Sequence, residues 1–341
     1  MPDRLYDLAD QLYRLAPWTW MREAQLVGLR HPETGEIAHI SIMGRDGIHF
    51  CLALYLGPES LHRFNLIQEA EYEGITLSEE DTIGLIFESR QLQASFNPRS
   101  ELEPRELAEI KRLRRKYRGE NWPAFRSFHP GRAPGQLSAN DAVWLAHAIE
   151  QLVQVAPILN DDPFGDYRAG ANGETEILTR ELRDGKWETT WTPFDKRLFE
   201  FPTPAAGSFI ATKVAGHSSL LDIECHFQLI PSPGTGNDQQ RYFPYLVLSV
   251  DARSGFVFGI EVVNVENQSH DSLIASIPDC FLRQWDRHGI RPSALHCASQ
   301  STHALLEKTA GVLQVPLHRQ SQLPALDEAL ASAMNFMANE H

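Results

Sequence analysis

Positive charge is scarce in this chain. Over 341 residues, 31 Lys and Arg face 45 Asp and Glu, a formal net charge of −14. Phosphate contact needs a positive surface, so this balance disfavours a general nucleic-acid binder. Cysteine is scarce too. Cys51, Cys225, Cys280 and Cys297 stand far apart with no C-x-x-C pair. Such spacing predicts free, buried thiols in a reducing compartment. No run of about 18 apolar residues is read, so no helix is expected to span a bilayer. The N-terminus MPDRLYDLADQLYRLAPW lacks the basic start and solid apolar core of a signal peptide, which makes the cytoplasm the expected location. Phosphate-cradling G-x-x-x-x-G-K-[ST] and G-x-G-x-x-G loops are missing, as is H-E-x-x-H. "GHSSL" (216–220) sets Ser beside His without the strand–turn–helix context of a hydrolase elbow. No cofactor is expected.

What is present is an ordinary globular balance, 42% apolar and 22% charged, long enough for two domains. Leu5, Leu8, Leu12 and Leu15 predict a helix over 3–15 that stops at Pro17. Three apolar strands follow at 25–30, 37–43 and 48–56. Their Gly-bearing turns, at Pro32–Gly35 and Arg45–Gly47, predict an antiparallel meander. Gly57-Pro58 opens a helix with Leu61, Phe64 and Leu66. "TIGLIFES" (82–89) and "QLQASF" (91–96) read as strands, and 100–119 as a helix ending at Gly119. Residues 120–137 read as irregular. Ser138 and Asp141 have the spacing of a capping box for the next helix.

The stretch "NDDPFGDYRAGANG" carries Gly, Pro, Asn and Asp without periodicity, which marks a linker. The expected organisation is therefore an α+β domain over 1–159, a linker over 160–173 and an α/β domain over 174–341. The second domain is expected to open with a hairpin turning at Asp184-Gly185. The strand "DIECHFQLI" (222–230) and a hairpin over 245–264 come next. Helices at 271–288, 301–313 and 323–338 then alternate with strands in "RPSALHCAS" and "VPLHR". Such alternation means parallel strands covered by helices.

Three strands, helix, strand, helix, strand, helix is an order that resembles the ribonuclease-H-like fold of nucleases, transposases and integrases. The resemblance covers the last third of the chain. It implies two metal ions held by carboxylates on the first strand, at the end of the fourth strand and on the final helix, for phosphodiester cleavage. Asp251, Glu224, Asp222 and Glu328 are the candidates. Counting from "DIECHFQLI", the first-strand acid is Glu224 and Asp251 falls at the end of strand two. The fourth strand ends in Cys297, Ala298 and Ser299, which a hard divalent cation does not accept in place of a carboxylate. The acid set is thus incomplete, and Asp251 reads better as a turn residue capping its own backbone. A non-enzymatic binding or accessory protein is the preferred expectation, and a divergent metal-dependent phosphodiesterase the alternative.

Other candidates carry bland alternatives. His296, Cys297 and His303 fall short of the four close ligands of a zinc site, so no metal is expected. The basic run from Lys111 to Arg118, followed by Trp122, Phe125 and Phe128, has the ingredients of single-strand binding. It reads better as a solvated helix face followed by aromatics pinned to the core. Trp18 and Trp20 either line a ligand pocket or plug the gap between the first helix and the sheet.

Five stretches carry a wider resemblance: "APWTWMREAQLVGLRHPETGEIAHISIMG", "LALYLG", "WPAFRSFHPGRAPGQLSANDAVWL", "VLSVDARSGFVFGIEVV" and "GIRPSALHCASQSTHALLEKTAGVLQVPL". They are similar to a group of uncharacterised bacterial proteins that pair two domains of unknown function in this order. The resemblance implies the two-domain cut and a bacterial cytoplasmic setting, and brings no activity or site residues.

Overall fold

The first helix, α1 (Pro2–Leu15), forms where Leu5, Leu8 and Leu12 recur on one face and all three are buried. Asp3 in its first turn and Arg14 in its last complement the helix dipole. Ala16 takes a left-handed φ of 47° and Pro17 cannot continue the ladder. The structure is a computed structural model that describes residues 2–74, 77, 79–161, 167–171, 173–194, 200–237 and 240–339. Its contacts divide into two units, residues 1–130 with 134–199, and residues 131–133 with 200–341.

The first unit continues with β1 (Val27–Arg30), β2 (Ile37–Met43), β3 (Phe50–Leu56), α2 (Gly57–Glu73), α3 (Glu79–Phe87), β4 (Gln91–Asn97), α4 (Pro104–Arg112) and β5 (Trp122–His129). The short β6 (Arg132–Gly135), whose first two residues belong to the second unit, precedes α5 (Ala139–Asp161), β7 (Tyr167–Ala169), β8 (Thr175–Arg183) and β9 (Lys186–Pro193). Strands β1 to β5 pair in succession, all antiparallel, as the meander requires. One sheet face packs on α1 and α5, with Leu12, Leu29, Ile40, Leu54, Leu145 and Leu152 in its core. Ala53 and Tyr55 meet Leu61 and Phe64 of α2 in a second cluster. The capping box at α5 forms: Asp141 N–H donates to Ser138 Oγ at 3.1 Å, and Ser138 N–H to Asp141 Oδ2 at 3.3 Å.

Several expectations change. In "TIGLIFES" residues 82–87 lie in α3, not a strand. A short apolar run has no periodicity to decide, and here local bonds such as Glu88 N–H to Gly84 C=O close it as a helix. Conversely, the stretch read as irregular holds β5, because Pro123 masks a strand that pairs along the whole of β4. The helix over 100–119 shrinks to α4, and Arg114 with φ 56° turns the chain out of it. The hairpin expected to open the second domain is β8 and β9, and β8 runs parallel to β1 in the first sheet. The first unit extends to 199 because Gly28 lets Thr179 approach: a Cβ on Gly28 would sit 2.3 Å from Thr179 Oγ1. Of the linker tract, 162–166 and 172 lie outside the described residues, while 160–161 end α5 and Tyr167–Ala169 form β7. Finally, Ala139–Asn160 of α5 is long and apolar enough to cross a membrane by length and composition, contrary to the sequence reading, and 56% of that window is buried inside the structure.

The second unit contains α6 (Ser208–Ala215), β10 (Ser219–Leu229), β11 (Gly234–Thr235), β12 (Arg241–Tyr242), β13 (Tyr245–Asp251), β14 (Val257–Val263), α7 (His270–Arg287), β15 (Ile290–Cys297), α8 (Gln300–Leu313), β16 (Leu317–Arg319) and α9 (Pro324–Asn339). Its main sheet has the order β14-β13-β10-β15-β16. Strand β13 is antiparallel to both its neighbours, while β10, β15 and β16 are mutually parallel. Helix α7 buries Leu273, Ile277, Phe281 and Trp285 at helical spacing, and Gln284 reaches from it to Ser249 Oγ at 2.6 Å. On the other face Leu323 and Leu326 at the start of α9 pack on Leu246, Leu248 and Val250. The four cysteines are free and buried.

Candidate functional site

A strand's side chains alternate between faces, and directly paired residues share a face. On β10 and β13 the pairs are Ile223 with Asp251 and Glu224 with Val250. Asp251 and Glu224 therefore project from opposite faces of the sheet. Glu224 and Val250 lie on the side packed by α9; Asp251 lies on the other. Two carboxylates so divided do not share a metal ion.

Each acid has local work. Asp251 is 7% exposed and closes the turn that follows it. Its Oδ1 accepts from Arg253 N–H at 3.3 Å and its Oδ2 from Ser254 N–H at 3.1 Å, with a further bond from Ser254 Oγ. Aspartate before a tight turn characteristically satisfies backbone donors this way. Glu224 is 4% exposed in the middle of β10. Its Oε2 accepts from Leu326 N–H at 2.7 Å, and the Ala325 amide adds a second backbone bond. Leu326 is the third residue of α9, so a strand glutamate supplies the cap that this helix lacks locally. Burial raises the Glu224 carboxyl above the ordinary glutamate range, and the nearby Asp327 charge adds to it, while the backbone donors pull the other way. Asp222 is exposed and accepts from Ser293 Oγ at 2.6 Å. Glu328 is exposed on α9. Among the described residues no three His, Cys, Asp or Glu side chains gather as a metal site.

The row beside Glu224 was not foreseen in full. His296 pairs with Glu224 across β10 and β15, and with His318 across β15 and β16. The two imidazoles stack at 5.3 Å with 25° between their planes, and Gln320 Nε2 lies 3.0 Å from His296 Nδ1. Burial lowers the His296 pKa, His318 lowers it further, and Asp222 opposes them. The sequence offered His296 and Cys297 together, but adjacent strand residues face opposite ways. Register, invisible in one sequence, selects His318 as the neighbour.

The remaining candidates sit in the first unit. Trp18 is 5% exposed and packs on Tyr13, Phe50 and Phe96. Trp20 is half-buried against the same core. Of the basic stretch, Arg115 bonds Asp3 and Asp7 of α1, Arg112 bonds Glu109, and Arg126 bonds Glu106. Phe125 meets Tyr6 edge-on and Phe128 stacks on Phe87. A cleft of about 800 Å³, also unforeseen, is lined by Arg22, Glu23, Arg45, Asp46, Gln68 and Tyr72. Its charges are mixed in sign and define no ligand class.

Residues 3–180 match the family model described as domain of unknown function DUF7309, and residues 213–334 match domain of unknown function DUF6930. No curated protein matches the chain.

Proposed function

We propose, for a chain that belongs to the DUF7309 family, a non-enzymatic binding or accessory role in the bacterial cytoplasm, with a ribonuclease-H-like second unit serving as scaffold. The sheet order β14-β13-β10-β15-β16, with only β13 reversed, and the helices after its third, fourth and fifth strands in the chain support that scaffold. Four buried free thiols suit a reducing compartment. The observation that carries the non-enzymatic reading is the bond from Leu326 N–H to Glu224 Oε2. The carboxylate standing where a first-strand metal ligand belongs has its lone pairs directed to a helix cap. A net charge of −14 also argues against nucleic acid as the partner.

The test is calorimetry with Mg²⁺ and Mn²⁺, followed by cleavage assays on single- and double-stranded DNA and RNA. The expected result is no saturable heat at millimolar metal and no cleavage. Metal-dependent cleavage that disappears in Asp251→Asn or Glu224→Gln would replace this reading with the phosphodiesterase alternative.

A further inference from the structure

Burying a charge is costly unless an opposite charge stands beside it. Three arginines of the first unit, buried or half-buried, obey that rule. Arg63 pairs with Glu59 and Glu88, Arg115 with Asp3, Asp7 and Asp10, and Arg126 with Glu106. Arg180 of β8 is buried too, and its acceptors among the described residues are all neutral. Its Nε–H donates to Gln151 Oε1 at 3.0 Å and its Nη1 to Thr189 Oγ1 at 2.7 Å. Its Nη2 donates to Gln154 Oε1 and to the Trp187 carbonyl, both at 3.2 Å. These bonds occupy N–H groups but leave the positive charge uncancelled.

The acids nearest in sequence serve elsewhere. Glu181 and Glu188 pair across β8 and β9 on the face opposite to Arg180 and Thr189, and Glu181 meets Arg30 and Arg183. Glu150 of α5 meets Arg4. Burial lowers the Arg180 pKa, and no acid acts against that shift.

A second observation points to the same place. Gln151 of α5 is 0% exposed, and its Nε2 has no hydrogen-bond partner among the described residues. A buried donor without an acceptor is costly. The orientation of the amide is set by Arg180, because turning it would face one donor with another. Its nitrogen therefore stands beside the guanidinium. One uncancelled positive charge and one spare amide donor meet between α5 and β9. Gln154 and Thr189 at the rim are both exposed, which gives an approach from solvent.

We propose that Arg180 and Gln151 form a binding site for a small carboxylate. The charge matches, since one carboxylate cancels one guanidinium. The shape matches as well, since the planar fork of Arg takes carboxylate oxygens in its own plane. Gln154 is the acceptor that gives way, being an exposed side chain on a long bond. One carboxylate oxygen takes its place on Nη2, and the other accepts from Gln151 Nε2. The site lies wholly in the first unit and does not depend on the scaffold reading of the second.

Formate is the probe, and its three heavy atoms hold it to millimolar affinity. In chloride-free buffer at pH 7 the Tm of the full chain is expected to rise saturably with sodium formate, by about 3–5 °C at a tenfold excess over Kd. Arg183→Gln, at an exposed arginine of the same strand, is expected to keep that response and so controls for general salt effects. Arg180→Met is expected to lose it. Gln151→Glu builds the carboxylate into the chain, so it is expected to raise the Tm without formate and to remove the response. Should Arg180→Met fail to fold, Gln151→Glu decides alone. A native Tm indifferent to formate overturns the proposal. So does a response that Gln151→Glu shares with the native chain, or a Gln151→Glu chain that melts below it.

Discussion

Replacing Glu224 by Ala removes an acceptor from a site with almost no water. Two contributions add. The lost cap leaves the Leu326 N–H without its partner, for about 1–3 kcal/mol. The truncated side chain leaves a small void, for about 1 kcal/mol more. The sum is about 2–4 kcal/mol, borne by α9 first, whose described docking residues include Leu323, Leu326, Ala329 and Leu330 over β13. Glu224→Gln keeps an oxygen for Leu326 N–H and removes a buried charge, so it is expected to cost less than about 1 kcal/mol at neutral pH. The two variants also differ in pH response. The folded-state carboxyl is raised by burial, so the folded chain holds its proton where the unfolded chain has lost it. Stability from this group is full below the unfolded value and falls as pH rises toward the folded one. The native chain should therefore gain on Glu224→Gln as pH falls from 7 toward 4, the direction opposite to that of an ordinary salt-bridged carboxylate. Hydrogen exchange read by mass spectrometry on a peptide spanning 323–332 measures both effects without requiring the two units to unfold together. Unchanged protection of that peptide in Glu224→Ala, or a Glu224→Gln difference that does not move with pH, would refute the reasoning.

Three further outcomes are expected in the first unit. His39 is buried, and burial lowers its pKa from 6.5 to about 4. At about 1.4 kcal/mol per pH unit, stability should drop by about 3 kcal/mol as pH falls through that window, seen as a falling urea midpoint that His39→Leu flattens. Arg180 is 8% exposed and among the described residues bonds neutral acceptors, Gln151, Gln154, Thr189 and the Trp187 carbonyl. Arg180→Ala strands all four and should cost about 3 kcal/mol or more, while Arg180→Met should cost less; thermal melts compare them. Gly28→Ala drives a methyl into Thr179 and disturbs its 2.6 Å bond to Thr192, for a loss of about 1–3 kcal/mol read as a lowered Tm.

Where periodicity was strong, the fold could be read from the residues. α1, the β1–β3 meander and the alternation after residue 264 each announce themselves by spacing and turn chemistry. Where it was weak, tertiary structure decided. The centre of "TIGLIFES" is a short apolar run that fits either element, and Pro123 hides β5. The hairpin over 175–193 was detectable, but its sheet was not, since only the parallel contact of β8 with β1 assigns it. The site shows the same division. Asp251 was legible as a turn residue because its partners are two and three positions away. Glu224 was not legible as a cap, because the donor it serves is 102 residues distant. Nor was the His296–His318 stack, which depends on the register of a three-residue strand.

The second unit draws residues 131–133 out of the middle of the first half of the chain. Within it, Arg132 pairs with Tyr242, Gly131 C=O accepts Phe243 N–H at 2.9 Å, and a side chain on Gly131, at φ 73°, would crowd Val265 and the Tyr245 hydroxyl. A gene cut at residue 199 is thus an unclean cut. The downstream fragment would be synthesised without three of its own residues, with Tyr242 and Phe243 left facing an empty berth. Ribosomal order adds a second consequence: those three residues emerge nearly seventy positions before the rest of their unit, and must wait for it.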